Sequence, residues 1–402
     1  MKLNMTFHSK AATTKALAAS LLVLTTTLLA CPPGDDSIVV EGVVFDRTAL
    51  LTGVVDNWLT PELAAFHTAA TTLQTATSAH ASAPTATTLT AAQDAWRAAM
   101  TQWQRLEPVQ LGPLAAAGTR VGGQGLRDTV YSWPTTSACG VDQLVVKNEF
   151  TQAGWASTQL VNVIGLAAVE VALLSPNDDN ACPGSATINQ DGSWRALGDE
   201  TVASRRAALA KVLADDVVAK ATTIQTAMTS YGADLKSAGT SGSSFSTAQS
   251  GIDDVFAALF YVELKVKDRK LGAVAGLTID CPASACPELL ESRLSSTSKD
   301  HVLTNLQATR VIFSGAGGAV GFDDFLVAAG AGDLATEIVG EIDAAIAGVQ
   351  AYDGTFEAHL LDAPADVVAL YELVKAFADD FKADLASTLG VRIPEEGDGD
   401  ND

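Results

Sequence analysis

A long helical stripe of apolar residues constrains the fold of this chain more than any other feature. From Val202 to Leu235, apolar side chains recur at intervals of three, four and seven residues. This spacing places them on one face of a helix. The same spacing recurs between Pro364 and Gly390, and proline and glycine are the residues that typically open and close helices. The chain is therefore predicted to bury its core between long helices.

Helical patterns cover most of the remaining chain, whereas strand patterns are scarce. Only Ser37–Phe45 is short and rich in β-branched residues, and no comparable alternating segment follows it. We therefore predict an all-α fold of two packed helical bundles. The other predicted helical segments are Thr48–Ser78, Thr90–Leu106, Leu160–Leu174, Ser246–Lys267, Glu288–Ser314, Phe322–Gly348 and Thr355–Leu361.

A glycine- and serine-rich break divides the helical pattern at Ser237–Ser246. We predict an N-terminal bundle over residues 45–237 and a C-terminal bundle over residues 246–392. Residues 393–402 form an acidic tail that we expect to be disordered.

The N-terminus has the features of a secretory signal. Three lysines and no acidic residue precede the uncharged stretch Ala16–Ala30, and Leu-Leu-Ala-Cys ends at Cys31 like a bacterial lipobox. We predict a signal peptide over residues 1–30, lipidation of Cys31 and a tether over residues 31–44. The alternative is an ordinary cleaved signal followed by an incidental cysteine.

The predicted location follows from this N-terminus. Several acyl chains on Cys31 would anchor the chain stably to a membrane. Pro32 follows the cysteine, which by analogy with lipoprotein sorting favours the outer over the inner membrane. We expect an exported, periplasmic, lipid-anchored protein. Its net charge of −22 argues against nucleic acid as a partner, because phosphate binding requires a basic surface.

Four further cysteines predict two disulfides in an oxidising compartment. Cys281 and Cys286 lie close together in a loop and are expected to pair, which leaves Cys139 with Cys182. A zinc site built from all four is the alternative, although the CxxC spacing of such sites is absent.

Two segments carry the most plausible site residues. Trp96 and Trp103 lie on one helical segment that runs to Glu107 and a Gly-Pro turn, and Glu170 is the single carboxylate in the apolar stretch Gly165–Leu174. A carboxylate in such surroundings must be paired, hydrogen-bonded, metal-bound or protonated. The motifs HExxH, GxxxxGK[ST] and GxSxG are absent.

Two interpretations of Glu170 are open at this point. An arginine could neutralise it inside the bundle, with Arg97, Arg105 and Arg127 as the choices. Alternatively, Glu107 and Glu170 could converge in a polar pocket that holds a hard cation, as carboxylates on facing helices do in other bundles.

These segments resemble those of the imelysin family. Its members carry a Trp-rich helix that ends in Glu before a Gly-Pro turn, and later a Gly-x-His-x-x-Glu motif. The resemblance continues through Tyr131–Pro134, which contains Trp133, and through Asn305–Gly315 to Leu389-Gly390-Val391. It implies two four-helix bundles, an exported location and, in several members, a link to iron acquisition.

One position departs from the family pattern. The histidine position within Gly165–Glu170 holds Ala167, which cannot bind a metal. A metallopeptidase needs several protein ligands and an activated water. The chain is similar here to a lipoprotein branch that lacks the histidine, so peptidase activity is not expected.

The resulting functional prediction is a non-catalytic binding or accessory protein of the envelope, with iron or other metal uptake as its candidate role. A metal ion or an envelope protein is the expected partner, and a divalent metal or iron the candidate cofactor. A metal-dependent peptidase and a structural lipoprotein without ligand are the alternatives. The candidate ligand site is a cleft formed by Trp96, Trp103, Glu107, Trp133 and Glu170, and the candidate metal ligands are Glu107 and Glu170.

Overall fold

The computed structural model describes residues 37–40 and 43–394. Helices make up most of the longer range. The predicted signal peptide, Cys31 and residues 395–402 of the acidic tail lie outside the described residues, so these assignments stay predictions. The all-α fold class is confirmed. The α-helices are α1 Arg47–Gly53, α2 Thr60–Ser82, α3 Ala86–Leu106, α4 Leu126–Val130, α5 Ala138–Lys147, α6 Gly165–Leu174, α7 Thr187–Gln190, α8 Ser193–Leu197, α9 Asp199–Lys236, α10 Ala248–Leu259, α11 Ser298–Phe313, α12 Phe322–Ala328, α13 Gly332–Gln350, α14 Phe356–Asp362, α15 Pro364–Asp380 and α16 Ala386–Leu389.

Shorter helical turns connect these elements. Three π-helical segments continue neighbouring helices, and five 3₁₀ turns lie in the loops. The π segments are π1 Val54–Leu59, π2 Val262–Gly272 and π3 Phe381–Leu385. The 3₁₀ turns are Gly112–Leu114, Trp155–Thr158, Val161–Val163, Pro287–Leu289 and Ala316–Gly318.

One four-helix group consists of α2, α3, α6 and α9. Helix α2 packs against α3 and α9, and α6 packs against both α3 and α9. Thr85 caps α3 by a reciprocal arrangement, since its hydroxyl accepts the backbone N–H of Thr88 at 3.2 Å and the Thr88 hydroxyl accepts the N–H of Thr85 at 3.0 Å. This cap fixes where α3 begins, and α3 carries Glu107 at its opposite end.

A second four-helix group consists of π2, α11, α13 and α15. Helix α13 packs against α11 and α15, and both of those helices pack against π2. The groups meet where α3 contacts α11. The described residues from Ser37 onward belong to one compact unit, and the division into domains at 237–246 stays a prediction.

The predicted strand Ser37–Phe45 folds back on itself as a hairpin. Strand β1, Ser37–Val40, pairs antiparallel with β2, Val43–Asp46, in the register Ile38 opposite Phe45. The Phe45 ring stacks on Phe325 with centroids 4.3 Å apart. The pairing partner of β1 is therefore the second half of the same predicted segment.

Two of the predicted helices are interrupted. Within the segment Glu288–Ser314, the α-helix begins only at Ser298. It follows the 3₁₀ turn Pro287–Leu289 and a non-helical stretch in which Ser292 and Ser296 have positive φ angles of 47° and 58°. The segment Phe322–Gly348 divides into α12 and α13 at Gly330, whose φ of 82° ends the first helix. Periodicity alone cannot detect such breaks, since the apolar spacing continues through them.

Both predicted disulfides are confirmed. Cys139 is bonded to Cys182, and Cys281 to Cys286. The first bond connects α5 to the loop after α6, and the second closes a short loop after π2. The alternative of a four-cysteine zinc site is wrong, because each sulfur is already bonded to another.

Within residues 37–40 and 43–394, no single helix has the length and hydropathy of a membrane span. The helical segments Ser298–Gly318 and Phe322–Ala328 have the length and composition of a span only when they are taken together. The two are bent by 72° relative to each other.

Candidate functional site

Two of the predicted site residues are core side chains of the first helical group. Trp96 and Trp103 are fully buried on α3. The Trp96 indole N–H donates to the carbonyl oxygen of Leu166 on α6 at 2.8 Å, and the Trp103 ring lies 5.0 Å from that of Phe66 on α2. These contacts bind α3 to its two neighbours and so fix the position of Glu107, one turn beyond Trp103.

Glu107 is fully buried where the two helical groups meet. Its Oε1 accepts hydrogen bonds from the Nε of Arg127 and the hydroxyl of Tyr261, both at 2.8 Å, and a second guanidinium nitrogen of Arg127 also contacts it. Burial alone would lower the pKa of the Arg127 guanidinium, but the Glu107 carboxylate holds that pKa well above its usual range. The Glu107 charge is therefore balanced by an arginine and not left open to solvent.

Glu170 has a different environment. The N–H and hydroxyl of Ser295 donate to its Oε1 at 3.0 and 2.8 Å. Burial raises the pKa of Glu170, and these two hydrogen bonds oppose that shift. Arg127, considered as an arginine partner for Glu170, binds Glu107 instead, while Arg97 and Arg105 pair with acidic residues elsewhere.

A close approach between helices positions Glu170. Helix α6 begins at Gly165, whose φ is 76°. A Cβ atom there would lie 2.3 Å from the carbonyl oxygen of Val130 in α4, so only glycine fits this crossing. Ala167 is buried two residues later and offers no ligand atom.

A buried ion pair that sequence reasoning missed lies between the two groups. The ammonium of Lys270 on π2 is 2.8 Å from a carboxylate oxygen of Glu291, and both residues are nearly inaccessible. The same ammonium donates to Gln104 at 2.9 Å and to Asn305 at 2.6 Å. Burial alone would raise the pKa of the Glu291 carboxyl, but Lys270 and His301 hold that pKa well below its usual range.

Polar contacts connect this ion pair to Glu170. The imidazole of His301 lies 3.3 Å from Glu291 by Nδ1 and 3.1 Å from the Thr297 hydroxyl by Nε2. The Thr297 hydroxyl is 2.8 Å from that of Ser295, which donates to Glu170. The Tyr131 hydroxyl donates to Glu291 at 2.8 Å, and the Arg127 guanidinium lies 5.5 Å from the centroid of the Tyr131 ring, which joins the Glu107 pair to the same set. We call the set Gln104, Glu107, Arg127, Tyr131, Glu170, Tyr261, Lys270, Glu291, Ser295, Thr297, His301 and Asn305 the interbundle network.

Trp133 lies at the edge of this network. Its ring is half-buried, with the Lys270 ammonium 5.7 Å from the ring centroid. Its carbonyl oxygen accepts a hydrogen bond from Arg127 at 2.9 Å. The structure thus places Glu107, Trp133 and Glu170 around one network, whereas Trp96 and Trp103 lie in the adjoining core.

The donors around the predicted metal ligands do not suit a catalytic metal ion. Glu107 and Glu170 share no hydrogen-bonding partner, and the guanidinium of Arg127 would repel a cation at Glu107. Within residues 43–394, one cluster brings three ligand atoms within 4.8 Å of one another, and it consists of Glu337, Glu341 and Asp380, outside the network.

The missed residues carried weak sequence signals. Lys270 follows Lys267 by three residues on a helical segment, and Asn305 and His301 are polar positions within an apolar one. Isolated polar residues on a helix usually face solvent, so nothing in the pattern marked these as buried. Their burial depends on how the two groups dock.

Comparisons with known proteins agree with this architecture. The imelysin family model, peptidase M75, matches residues 59–383. A crystal structure from Parabacteroides distasonis ATCC 8503, described as a candidate iron-regulated protein A precursor, is 16% identical, with a TM-score of 0.66 over 85% of this chain and 95% of that chain. An imelysin-like protein from Psychrobacter arcticum 273-4 is 17% identical, with a TM-score of 0.66 over 86% of this chain and 96% of that chain. A comparison with curated proteins finds no match. At these identities the two structures demonstrate a shared fold.

Proposed function

The chain belongs to the imelysin family, and from that premise we propose that it is a lipid-anchored binding or accessory protein of the cell envelope, linked to iron acquisition and without peptidase activity. The non-catalytic role is supported mainly by one observation: both predicted metal ligands are already bound by other protein groups. Glu107 is paired with Arg127, and Glu170 is bound by Ser295.

A catalytic metal would need more than these residues offer. Catalytic zinc sites have three protein ligands and one open position for water. Ala167 contributes no ligand atom. Moving Glu107 to a metal would take from Arg127 its buried ion-pair partner and leave it the exposed Asp128. The donor set therefore favours a protein that uses its carboxylates for internal contacts.

The envelope location and the iron link rest on other support. The lipobox-like sequence before Cys31 supports a lipid anchor, and two disulfides suit an oxidising compartment. The Parabacteroides protein is described as iron-regulated, which supports the same association for this chain. An envelope protein or a small ligand is the expected partner.

The non-catalytic role is tested with a chain that begins at residue 32. After incubation with Fe²⁺, Zn²⁺, Mn²⁺ or Ca²⁺ and gel filtration, elemental analysis measures bound metal, and digestion of unfolded casein measures proteolysis. We expect neither stoichiometric metal nor cleavage. One equivalent of metal together with cleavage, both lost in Glu170→Gln, would establish a peptidase instead.

Palmitate labelling of the full chain, compared with Cys31→Ser, tests the lipid anchor.

A further inference from the structure

A cavity of about 280 Å³ lies beside the interbundle network. Its wall comes from the loop after α3, from the start of α4, and from α10 and π2. Leu114, Phe260 and Leu264 form part of an apolar side. Arg127 and Tyr261 line the cavity and also bind Glu107, so two members of the network form part of the cavity wall. Its size is at the low end for small-molecule pockets, which limits an occupant to a small molecule.

The charged residues of the cavity are mainly basic, although the chain as a whole has a net charge of −22. Arg120, Arg127 and Lys265 line it, and Asp128 is the one carboxylate among its lining residues in the described part of the chain. Asp128 is already paired with Arg127 at 2.9 Å. Arg127 is balanced by Glu107 and Asp128, and Arg120 interacts with the Asp254 carboxylate. The lysine among the lining residues, Lys265, is therefore the cation at which an anionic occupant is favoured.

Lys265 is the residue best placed to bind that anion. Within residues 43–394 its ammonium has no hydrogen-bond or ion-pair partner, whereas the guanidinium of Arg127 is used by Glu107, Asp128 and the Trp133 carbonyl. Burial lowers the pKa of Lys265, and the positive charges of Arg127 and Arg269 lower it further. An incoming carboxylate would relieve this unfavourable environment by supplying the missing opposite charge.

We propose that this cavity binds a small organic carboxylate, with the carboxylate at Lys265 and a short apolar chain against Leu114, Phe260 and Leu264. The proposal names the ligand class for the binding role proposed above and rests on that role. Arg120 and Arg127 line the same cavity, but their charges are already balanced by Asp254 and by Glu107 and Asp128. Arg120 is itself fixed by donation to the carbonyl oxygen of Ala257 at 2.9 Å.

Calorimetric titration with hexanoate tests the proposal on the chain that begins at residue 32. Hexanamide, which has the same shape without the charge, and inorganic phosphate are titrated in parallel. We expect one hexanoate per chain, bound about tenfold or more tightly than hexanamide, because a charge-assisted hydrogen bond is lost in the amide. Phosphate should bind more weakly than hexanoate, since it cannot use the apolar wall.

Three variants locate the binding. Lys265→Met should weaken hexanoate binding about tenfold or more. Ala257→Leu should weaken it by filling the cavity, without removing a charge. Lys211→Met, which removes an exposed lysine on α9, should leave it unchanged. Thermal unfolding of each variant confirms that it is folded.

Three results would overturn the proposal: no binding of hexanoate, equal binding of hexanoate by wild type and Lys265→Met, or phosphate binding as tight as hexanoate. The last would indicate an inorganic anion site. Metal content and casein cleavage do not depend on this cavity, so a negative titration would leave the non-catalytic role standing, and a metal-dependent peptidase could be recognised separately.

Discussion

Glu107 and Glu170 illustrate how two buried carboxylates of the same predicted site reach different states. Glu107 is paired with Arg127, which lies 20 residues away in sequence, whereas Glu170 is bound by Ser295, which lies 125 residues away. Burial penalises a charge unless a neighbour compensates it. The sequence identified both residues as needing partners, but the identity of each partner depends on tertiary packing.

A carboxyl cluster on α13 and α15 predicts a pH-dependent stability. Burial, followed by repulsion from Asp380 and Glu337, raises the pKa of Glu341 to about 7. A folded-state pKa above the unfolded value means that the folded chain holds this proton more tightly. The resulting stabilisation is fully present below the unfolded pKa and is lost as the pH rises through about 7.

Glu341→Gln should remove this pH dependence. We expect the variant to be more stable than wild type above neutral pH, where wild type carries the repelled charge, with a smaller difference in mildly acidic solution. Urea unfolding on both sides of neutrality measures this. Glu372→Gln, an exposed glutamate on α15, is the matched control. An equal effect of Glu341→Gln on the free energy of unfolding at both pH values would contradict the raised pKa of Glu341.

At the scale of elements, the segment before α11 shows what periodicity misses. The apolar spacing predicted one helix over Glu288–Ser314, but α11 begins at Ser298. The non-helical stretch before it contributes Glu291 and Ser295 to the interbundle network. In a continuous helix these two side chains, four residues apart, would still share one face. What the interruption frees is the backbone N–H of Ser295, which would otherwise bond to the carbonyl oxygen of Glu291 and instead donates to Glu170.

The two disulfides should differ in how much they stabilise the fold. The chain-entropy model predicts about 4 kcal/mol for the bond spanning 43 residues, Cys139–Cys182, and about 2 kcal/mol for the bond spanning 5, Cys281–Cys286. Urea unfolding of the two paired Cys→Ala variants measures both losses. The reverse ranking would show that local packing around Cys281 and Cys286 outweighs the constraint on the unfolded chain.

For the whole molecule, the sequence predicted the class of fold more completely than the way its parts join. Apolar periodicity identified the long helices of both groups because each helix buries one face, and the cysteine spacing identified both disulfide pairs. The joint between the groups depends on polar residues such as Lys270, Glu291 and Asn305, which have no periodic signature. This joint holds one set of buried charges, and others lie outside it, such as the buried pair of Arg206 and Asp142.

The central claim is that the buried charges between the groups bind one another and not a metal ion. A double-mutant cycle of Lys270→Met and Glu291→Gln, followed by urea unfolding with and without Zn²⁺ or Fe²⁺, tests it most directly. Each single variant should cost about 3–5 kcal/mol, because it leaves an uncompensated buried charge, and the double variant should cost less than the sum. The exposed pair Lys211 and Asp215 is the control, with an expected coupling below about 1 kcal/mol. Strictly additive losses, together with a wild type that either metal stabilises, would contradict the claim.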